Sequence, residues 1–196
     1  MRVFLRQLRP AIVVLAIFTV MLGVVYPLVS TAIGQVAFGH EANGSLIRRN
    51  GEVVGSELLG QTFTSPQYFH TRPSAAGAGY DGSASSGSNL GPLSPDLLAA
   101  VTDRVAAYRE ENGLPSAVAV PVDAVTASAS GLDPHISIAN ARLQIPRVAR
   151  ERGLAEAVVA GLVTKATDAR TAWVLGVPGV NVVELNLALD DLTGAD

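Results

Sequence analysis

The chain begins with a long apolar run that differs from everything after it. Residues 10–39 carry no charge, and residues 11–33 (AIVVLAIFTVMLGVVYPLVSTAI) are almost wholly apolar. As an α-helix, residues 11–33 extend roughly 34 Å, which exceeds the ~30 Å hydrocarbon core of a bilayer. A cleaved signal peptide has a shorter apolar region of about 7 to 15 residues. The pattern therefore predicts a retained transmembrane helix.

One face of this helix carries small residues and a proline. They follow one another at steps of four, three and four: Gly23, Pro27, Ser30 and Gly34. Small side chains let helices approach closely in lipid, so this face is a candidate surface for packing against a partner helix. The alternative is that such residues are merely tolerated in membrane helices. Pro27 is expected to bend the helix.

The basic residues around the span predict its orientation. Three arginines precede it: Arg2, Arg6 and Arg9. Basic residues beside a span tend to stay cytoplasmic, although Arg48 and Arg49 beyond it weaken the asymmetry. We expect residues 1–10 to be a short cytoplasmic segment, residues 11–33 to cross the membrane, and residues 40–196 to form an extracytoplasmic domain.

Strand patterns open and close this domain. Residues 45–56 have two extended segments around Asn50-Gly51, the pair that favours a type I′ hairpin turn. VAVPV (residues 118–122) is interpreted as a short edge strand. Residues 180–190 (VNVVELNLALD) alternate apolar and polar positions, which predicts a half-buried strand.

Helical patterns lie between these strands. Ser94-Pro95 predicts a helix start, with a stop at Gly113 and one apolar stripe: Leu98, Val101, Val105 and Tyr108. Ser137 is placed to cap a second helix over residues 138–152, in which Pro146 predicts a kink or a restart. A third helix follows Gly153. Strands at both ends with helices between them predict an α+β domain.

Residues 73–95 are nearly all Gly, Ser, Ala, Asn and Pro, with a single charge. A loop this long inside a compact domain is usually functional or disordered. It contains a literal G-x-G-x-x-G at residues 77–82, but neither a strand before it nor a helix after it is predicted. A nucleotide role for these glycines is therefore not expected.

Charge and composition exclude several functions. The net charge is −3 and Lys165 is the single lysine, so a nucleic-acid-binding surface is not expected. Three scattered histidines and no cysteine give no metal-site spacing.

The chain lacks the G-x-S-x-G motif of a serine hydrolase, and Pro134 is expected to point Asp133 and His135 apart. Spacing alone leaves open a triad through His70 or His40, since triads assemble from distant positions. No catalytic or metal-binding residue is predicted.

Two further segments have a structural interpretation. Residues 125–137 (VTASASGLDPHIS) are expected to form a tight turn that lets neighbouring segments approach closely. The helix over residues 138–152 carries four arginines, interpreted as a solvated face: Arg142, Arg147, Arg150 and Arg152. Contact with an acidic partner or a phosphate is the alternative.

Several stretches together resemble one family, the C subunit of the Kdp potassium-transporting ATPase. They are YPL, NGSLI, YFHTRPSA, SGSNLGP, VTASASGLDPHIS, QIPRVA and VNVVELNLALD, and they occur in order over nearly the whole chain. The resemblance implies an accessory subunit of a potassium uptake complex in the plasma membrane. The implied partners are a channel-like potassium-conducting subunit, a P-type ATPase subunit and a small membrane subunit.

The resemblance also implies an alternative role, that of a catalytic chaperone that raises the ATP affinity of the ATPase subunit. Gln144 in QIPRVA matches the glutamine proposed to contact nucleotide in that family, so ATP is the one ligand to consider. The predicted orientation conflicts with this role because ATP is cytoplasmic and Gln144 is expected outside. We favour the orientation, since the sequence has no phosphate cradle.

The predicted orientation is testable with C-terminal reporter fusions. We expect an alkaline phosphatase fusion to be active and a green fluorescent protein fusion to be dark, because the C-terminus is expected on the outer face. An inactive phosphatase fusion beside a fluorescent one would overturn the prediction.

Overall fold

A computed structural model of the chain describes residues 2–194. Met1, in the predicted cytoplasmic segment, and residues 195–196, at the end of the predicted outer domain, lie outside the described residues. The chain forms two compact units that divide between Leu46 and Ile47. One apolar N-terminal helix is followed by a domain of mixed helix and sheet, so the predicted α+β fold class is confirmed.

The N-terminal unit is helical almost throughout. Helix α1 spans Arg2–Val20, a π-helical turn spans Met21–Val25, α2 spans Tyr26–Ala37 and the short α3 spans Gly39–Ala42. Within the described residues, one helical stretch is long and apolar enough to cross a membrane, Arg6–Ala37. Its most apolar part is not buried inside the protein, unlike the core helix of a soluble domain.

The π-helical turn is explained by Pro27. Proline has no amide hydrogen, and its ring clashes with the carbonyl four residues earlier, which belongs to Gly23. The turn that contains Gly23 is widened, and the amide of Tyr26 bonds the carbonyl of Met21, five residues back. Pro27 therefore produces a wide turn within a helix that continues past it.

The predicted hairpin is confirmed. Strand β1 covers Leu46–Arg49, β2 covers Glu52–Ser56, and the two pair as a separate sheet. Asn50 and Gly51 between them have φ angles of 51° and 86°. A type I′ turn requires positive φ at both central residues, which asparagine and glycine tolerate best.

Two helices follow a long coil, residues 57–94. Helix α4 covers Pro95–Asn112 and ends at Gly113, whose φ is 62°, so this predicted helix is confirmed. Leu98 is exposed and does not belong to a buried stripe. The edge strand predicted over residues 118–122 is wrong. Its last residue begins α5, Val122–Val125, a single helical turn whose backbone bonds to itself instead of to a neighbouring strand.

The second sheet is small and antiparallel. Its strands are β3 (His135–Ile136), β4 (Thr167–Asp168) and β5 (Gly179–Asn181), in the spatial order β3-β5-β4. Val180 of β5 lies opposite one residue of each neighbour. Strands of two or three residues form few ladder hydrogen bonds, so most of the domain must be held together in another way.

Three further helices are α6 (Ile138–Arg152), α7 (Glu156–Lys165) and α8 (Val182–Thr193). Helices α6 and α8 pack against the second sheet, and α7 packs against both helices. Ser137 caps α6 by accepting a hydrogen bond from Asn140, as predicted. Helix α6 passes through proline without a restart. The core combines apolar residues of these helices with residues of the sheet and one phenylalanine from the coil: Phe69, Ile136, Ala141, Ile145, Val148, Ala149, Val159, Val163, Val180, Val182, Leu185 and Leu189.

The strand predicted over residues 180–190 is wrong beyond Asn181. The Asn181 side chain accepts hydrogen bonds from two amides of the first turn of α8, which caps that helix. Val182, Leu185 and Leu189 are fully buried at steps of three and four, the spacing of a helix face. The segment fits both the two-residue period of a strand and the spacing of a helix face. The Asn181 cap favours the helix.

The coil of residues 57–94 is bonded to the 125–137 stretch. It has no helix, and its one strand-like backbone pairing is an isolated bridge between Leu59 and Ser56. Ser74 Oγ donates to the Gly131 carbonyl at 2.6 Å. Gly131 has a φ of 68°, and a Cβ there would lie 2.6 Å from the carbonyl oxygen of Ser86. This close backbone approach agrees with the interpretation of the stretch as a tight turn.

Candidate functional site

Gln144 is buried on α6 with 1% of its surface exposed. Its Oε1 accepts from the His70 amide at 2.7 Å and from Arg147 Nη2 at 2.8 Å. Its Nε2 donates to the His70 carbonyl at 3.1 Å and to Asn140 Oδ1 at 2.9 Å. A glutamine amide has two donor hydrogens and two acceptor lone pairs, so its full capacity is used inside the domain. Nucleotide contact by Gln144 stays a prediction.

Asn186 on α8 repeats this arrangement one residue earlier in the coil. Its Oδ1 accepts from the Phe69 amide and its Nδ2 donates to the Phe69 carbonyl, both at 2.9 Å. Asn186 and Phe69 are both buried. Two side-chain amides therefore pair with the backbones of consecutive residues, as a neighbouring strand would.

Arg147 extends the bonding along the coil. Its side chain is 1% exposed, and its Nη1 donates to the carbonyls of Pro66 and Tyr68. Its Nε donates to Asn112 Oδ1 at 3.0 Å. Burial lowers the pKa of Arg147, but a guanidinium stays protonated in proteins. A buried charge is tolerated when it is paired and hydrogen-bonded, and these partners supply the hydrogen bonds.

Arg152 completes the arrangement at the end of α6. Its Nε donates to the Gln67 carbonyl at 2.8 Å, and its Nη2 pairs with Asp190 at 2.7 Å. Its guanidinium also lies 4.8 Å from the centre of the Tyr68 ring. We use the term polar clamp for four side chains and the backbone of residues 66–70 that they bind. The four are Gln144, Arg147, Arg152 and Asn186.

The polar clamp corrects one interpretation of the sequence. The arginines of α6 were expected to form a solvated face, and this is wrong for Arg147 and Arg152, whose side chains are 1% and 4% exposed. Arg142 and Arg150 are exposed as expected. The difference arises because the buried pair binds backbone carbonyls of the coil.

A carboxylate compensates the buried guanidinium. Glu111 Oε1 lies 2.7 Å from His70 Nδ1 and 3.8 Å from Arg147 Nε. The hydrogen bond with His70 and the nearby positive charge hold the pKa of Glu111 below its usual range, despite partial burial. A negative charge is therefore kept beside the polar clamp.

A separate cleft of about 630 Å³ contains His135. The expectation that Asp133 and His135 point apart is wrong, because the His135 amide bonds Asp133 Oδ1 at 3.0 Å and its ring Nδ1 lies 3.5 Å from the same carboxylate. His135 Nε2 lies 2.7 Å from Asp168 Oδ2. The bond to Asp133, together with Asp168, raises the pKa of His135 although burial opposes it.

Asp133 is held from its other side by Arg72, at 3.1 Å. Burial alone would raise the pKa of Asp133, but hydrogen bonds from His135 and the charge of Arg72 lower it. His135 thus joins β3 to β4 through the contact of its ring with Asp168. Among residues 2–194, no group of three or more His, Asp or Glu side chains is arranged to hold a metal ion.

The predicted partner-packing face lies in the N-terminal unit. Pro27, Ser30 and Gly34 share α2, whereas Gly23 lies in the π-helical turn. A Cβ at Gly23 would meet no atom within 4 Å, and one at Gly34 would lie 3.8 Å from the Ala42 side chain. Packing of a partner against this face stays a prediction.

Sequence reasoning missed most of the polar clamp. Asn186 was hidden by the strand interpretation, and Arg147 by the usual exposure of arginine. A usable signal was present, since polar residues at 140, 144 and 147 of α6 follow helical spacing beside apolar positions. The resemblance supplied Gln144 but not its structural partners.

Comparisons with known proteins agree with one another. Residues 8–191 match the family model KdpC, described as "K+-transporting ATPase, c chain". The potassium-transporting ATPase KdpC subunit of Mycobacterium tuberculosis is 58% identical over 187 residues, which cover 95% of this chain and 99% of that protein. The KdpC subunit of Sorangium cellulosum is 56% identical over 95% of this chain and 98% of its own length.

The polar clamp predicts that Gln144→Ala destabilises the domain. The change leaves both backbone groups of His70 without their buried partner, and each unsatisfied group costs about 1 to 3 kcal/mol. We expect a loss of about 2 to 4 kcal/mol in the free energy of unfolding. The measurement is urea unfolding of the full chain in detergent, monitored by circular dichroism.

Gln67→Ala is the matched control, since Gln67 is exposed and contributes its backbone carbonyl to the polar clamp. It should change stability by less than about 0.5 kcal/mol. Equal stability of the Gln144 and Gln67 variants would contradict a structural role for the Gln144 amide.

Proposed function

The chain belongs to the KdpC family of potassium-transporting ATPase subunits, and we propose that it acts there as a non-catalytic accessory subunit that stabilises the assembled complex. Its proposed partners are a channel-like subunit that conducts potassium, a P-type ATPase subunit that hydrolyses ATP, and a small membrane subunit. The lipid bilayer surrounds its span. Potassium is the proposed transported ion, and ATP is used through the ATPase subunit of the complex.

The polar clamp is the observation that carries this proposal. Gln144 and Arg147 lie in QIPRVA, Asn186 lies in VNVVELNLALD, and residues 68–70 lie in YFHTRPSA; the three side chains bond one another or the backbone inside the domain. These hydrogen bonds lie within the domain and maintain its shape. A domain whose distinctive polar residues maintain its shape suits a docking subunit better than an enzyme.

The sequence supports catalysis elsewhere in the complex. It contains no DKTG phosphorylation motif and no TVGYG-like filter segment. A P-type ATPase needs a phosphorylated aspartate, and potassium selectivity needs a ring of filter carbonyls. We therefore assign the phosphorylated aspartate and the filter carbonyls to partner subunits.

The outer entrance of the potassium pathway is the proposed position of the domain. This follows from the arginines before the span, which favour a cytoplasmic N-terminus and a domain on the outer face of the plasma membrane. A folded domain held there by one span can cover the mouth of a neighbouring channel-like subunit.

Direct nucleotide contact is the second candidate function. One observation favours it: Gln144 borders a cleft of about 340 Å³ that Arg72 and Arg104 also line. Against it, the amide must first release His70 and Asn140. An outer domain never meets ATP, so reporter fusions that place the C-terminus in the cytoplasm would favour this candidate over ours.

The accessory role predicts that the span face holds the complex together. Gly34→Leu places a large side chain where close helix packing is proposed, and we expect co-purification of the partner subunits with a tagged chain to fall about tenfold, equivalent to about 1.4 kcal/mol. The measurement is quantification of each subunit after affinity purification in mild detergent.

Ala32→Leu is the matched control, because it makes a similar enlargement on the opposite side of α2. Both variants should reach the membrane in equal amounts. Recovery of partners that is equal for the two variants would contradict the proposed packing face, and recovery of no potassium-transport subunit with the unmodified chain would contradict the accessory role.

A further inference from the structure

The loop between β4 and β5 exposes an unusual amount of apolar surface. Residues 171–177, which we name the apolar tip, carry four large apolar side chains. Their exposed fractions are high: Trp173 90%, Val174 72%, Leu175 62% and Val177 82%. Side chains exposed to this extent project from the domain and gain nothing from its core. Contiguous exposed apolar residues of this kind mark an interaction site.

Four backbone amides of the apolar tip are hydrogen-bonded within the loop or to the residue before it. The amides of Thr171 and Leu175 each donate to the other's carbonyl at 3.0 Å. The Trp173 amide donates to the Arg170 carbonyl at 3.1 Å, and the Val174 amide to the Thr171 carbonyl at 3.3 Å. A segment that enters lipid must bond its polar backbone internally, whereas a protein partner could supply the missing bonds.

The local conformation fixes the direction of the tryptophan. Ala172 and Trp173 have φ angles of 49° and 65°, a left-handed conformation that is uncommon outside glycine. Two such residues in succession turn the chain sharply while the Trp173 side chain stays exposed. Backbone strain of this kind is retained where it serves a function.

The charge pattern around the tip fits a lipid interface. Residues 171–183 contain no charged side chain, and the charged residues nearest to the tip, among them Asp168 and His135, lie at its base in the cleft that Leu175 and Val177 also line. Tryptophan is enriched at the boundary between lipid headgroups and hydrocarbon because its ring is large, apolar and able to donate one hydrogen bond.

The chain also keeps the domain near a bilayer. Ala37 ends α2 and Ile47 begins the domain, so nine residues (38–46) join them. Nine residues span at most roughly 32 Å when fully extended. A lipid surface is therefore within reach on whichever side of the membrane the domain lies.

We propose that the apolar tip inserts into the surface of the lipid bilayer and gives the domain a second membrane attachment beside its transmembrane helix. Trp173 lies at the headgroup level, and Val174 and Leu175 contact the upper acyl chains. The attachment restrains rotation of the domain on its short connection. This inference is independent of the accessory role, since it concerns lipid and not a partner subunit.

Trp173 is the single tryptophan of the chain, so its fluorescence reports directly on the proposal. The experiment uses the full chain in vesicles of phosphatidylcholine, with and without bromine on the acyl chains. We expect brominated vesicles to quench most of the emission and aqueous acrylamide to quench little of it. The double variant Val174→Asp and Leu175→Asp should lose the quenching by brominated lipid.

Leu93→Asp is the matched control, because Leu93 is 87% exposed in a different part of the domain and the change leaves Trp173 in place. Brominated lipid should quench the Leu93→Asp variant as strongly as the unmodified chain. Full access of acrylamide with no quenching by brominated lipid would overturn the proposal. Protection of Trp173 that requires added potassium-conducting or ATPase subunit would also overturn it and would assign the tip to a protein interface.

Discussion

The domain depends on one physical requirement: a buried coil must find hydrogen-bond partners for its backbone. Residues 66–70 have no neighbouring strand, yet Phe69 occupies the core and its backbone is shielded from water. Each buried, unbonded amide or carbonyl would cost about 1 to 3 kcal/mol. Side chains of α6 and α8 supply these bonds, and thereby determine how the two helices lie against the coil.

This substitution of side chains for a strand explains why so small a sheet suffices. Strands β3, β4 and β5 contain two or three residues each. In their place, Asn186 and Gln144 each bond both backbone groups of one coil residue. Because these amide and guanidinium groups bond with defined geometry, they fix the position of the coil. The proposed docking role within the potassium-transporting complex rests on the family membership and on this network of buried hydrogen bonds.

The sequence predicted the parts of the fold that are encoded locally. Asn50-Gly51 requires a type I′ turn, Ser94-Pro95 and Gly113 delimit α4, and the apolar span is long enough for a bilayer. The beginning of α8 was mistaken because its apolar residues alternate, and the effect of Asn181 as a helix cap outweighs that alternation.

The site itself was predictable only in part, because its partners are distant in the chain. Gln144 and His70 are 74 residues apart, and Asn186 and Phe69 are 117 apart. Nothing local to Arg147 indicates that its guanidinium is buried, since burial depends on carbonyls that the coil presents. Long-range polar contacts of this kind become visible only in the folded domain.

Hydrogen exchange at the backbone amides of Phe69 and His70 tests the central claim most directly. The account predicts that both amides, although they lie in a coil, exchange as slowly as amides in the core of α6, because they open only when the domain unfolds. Exchange as fast as that of the exposed coil near Leu93 would show that the polar clamp does not hold the segment, and would contradict the account.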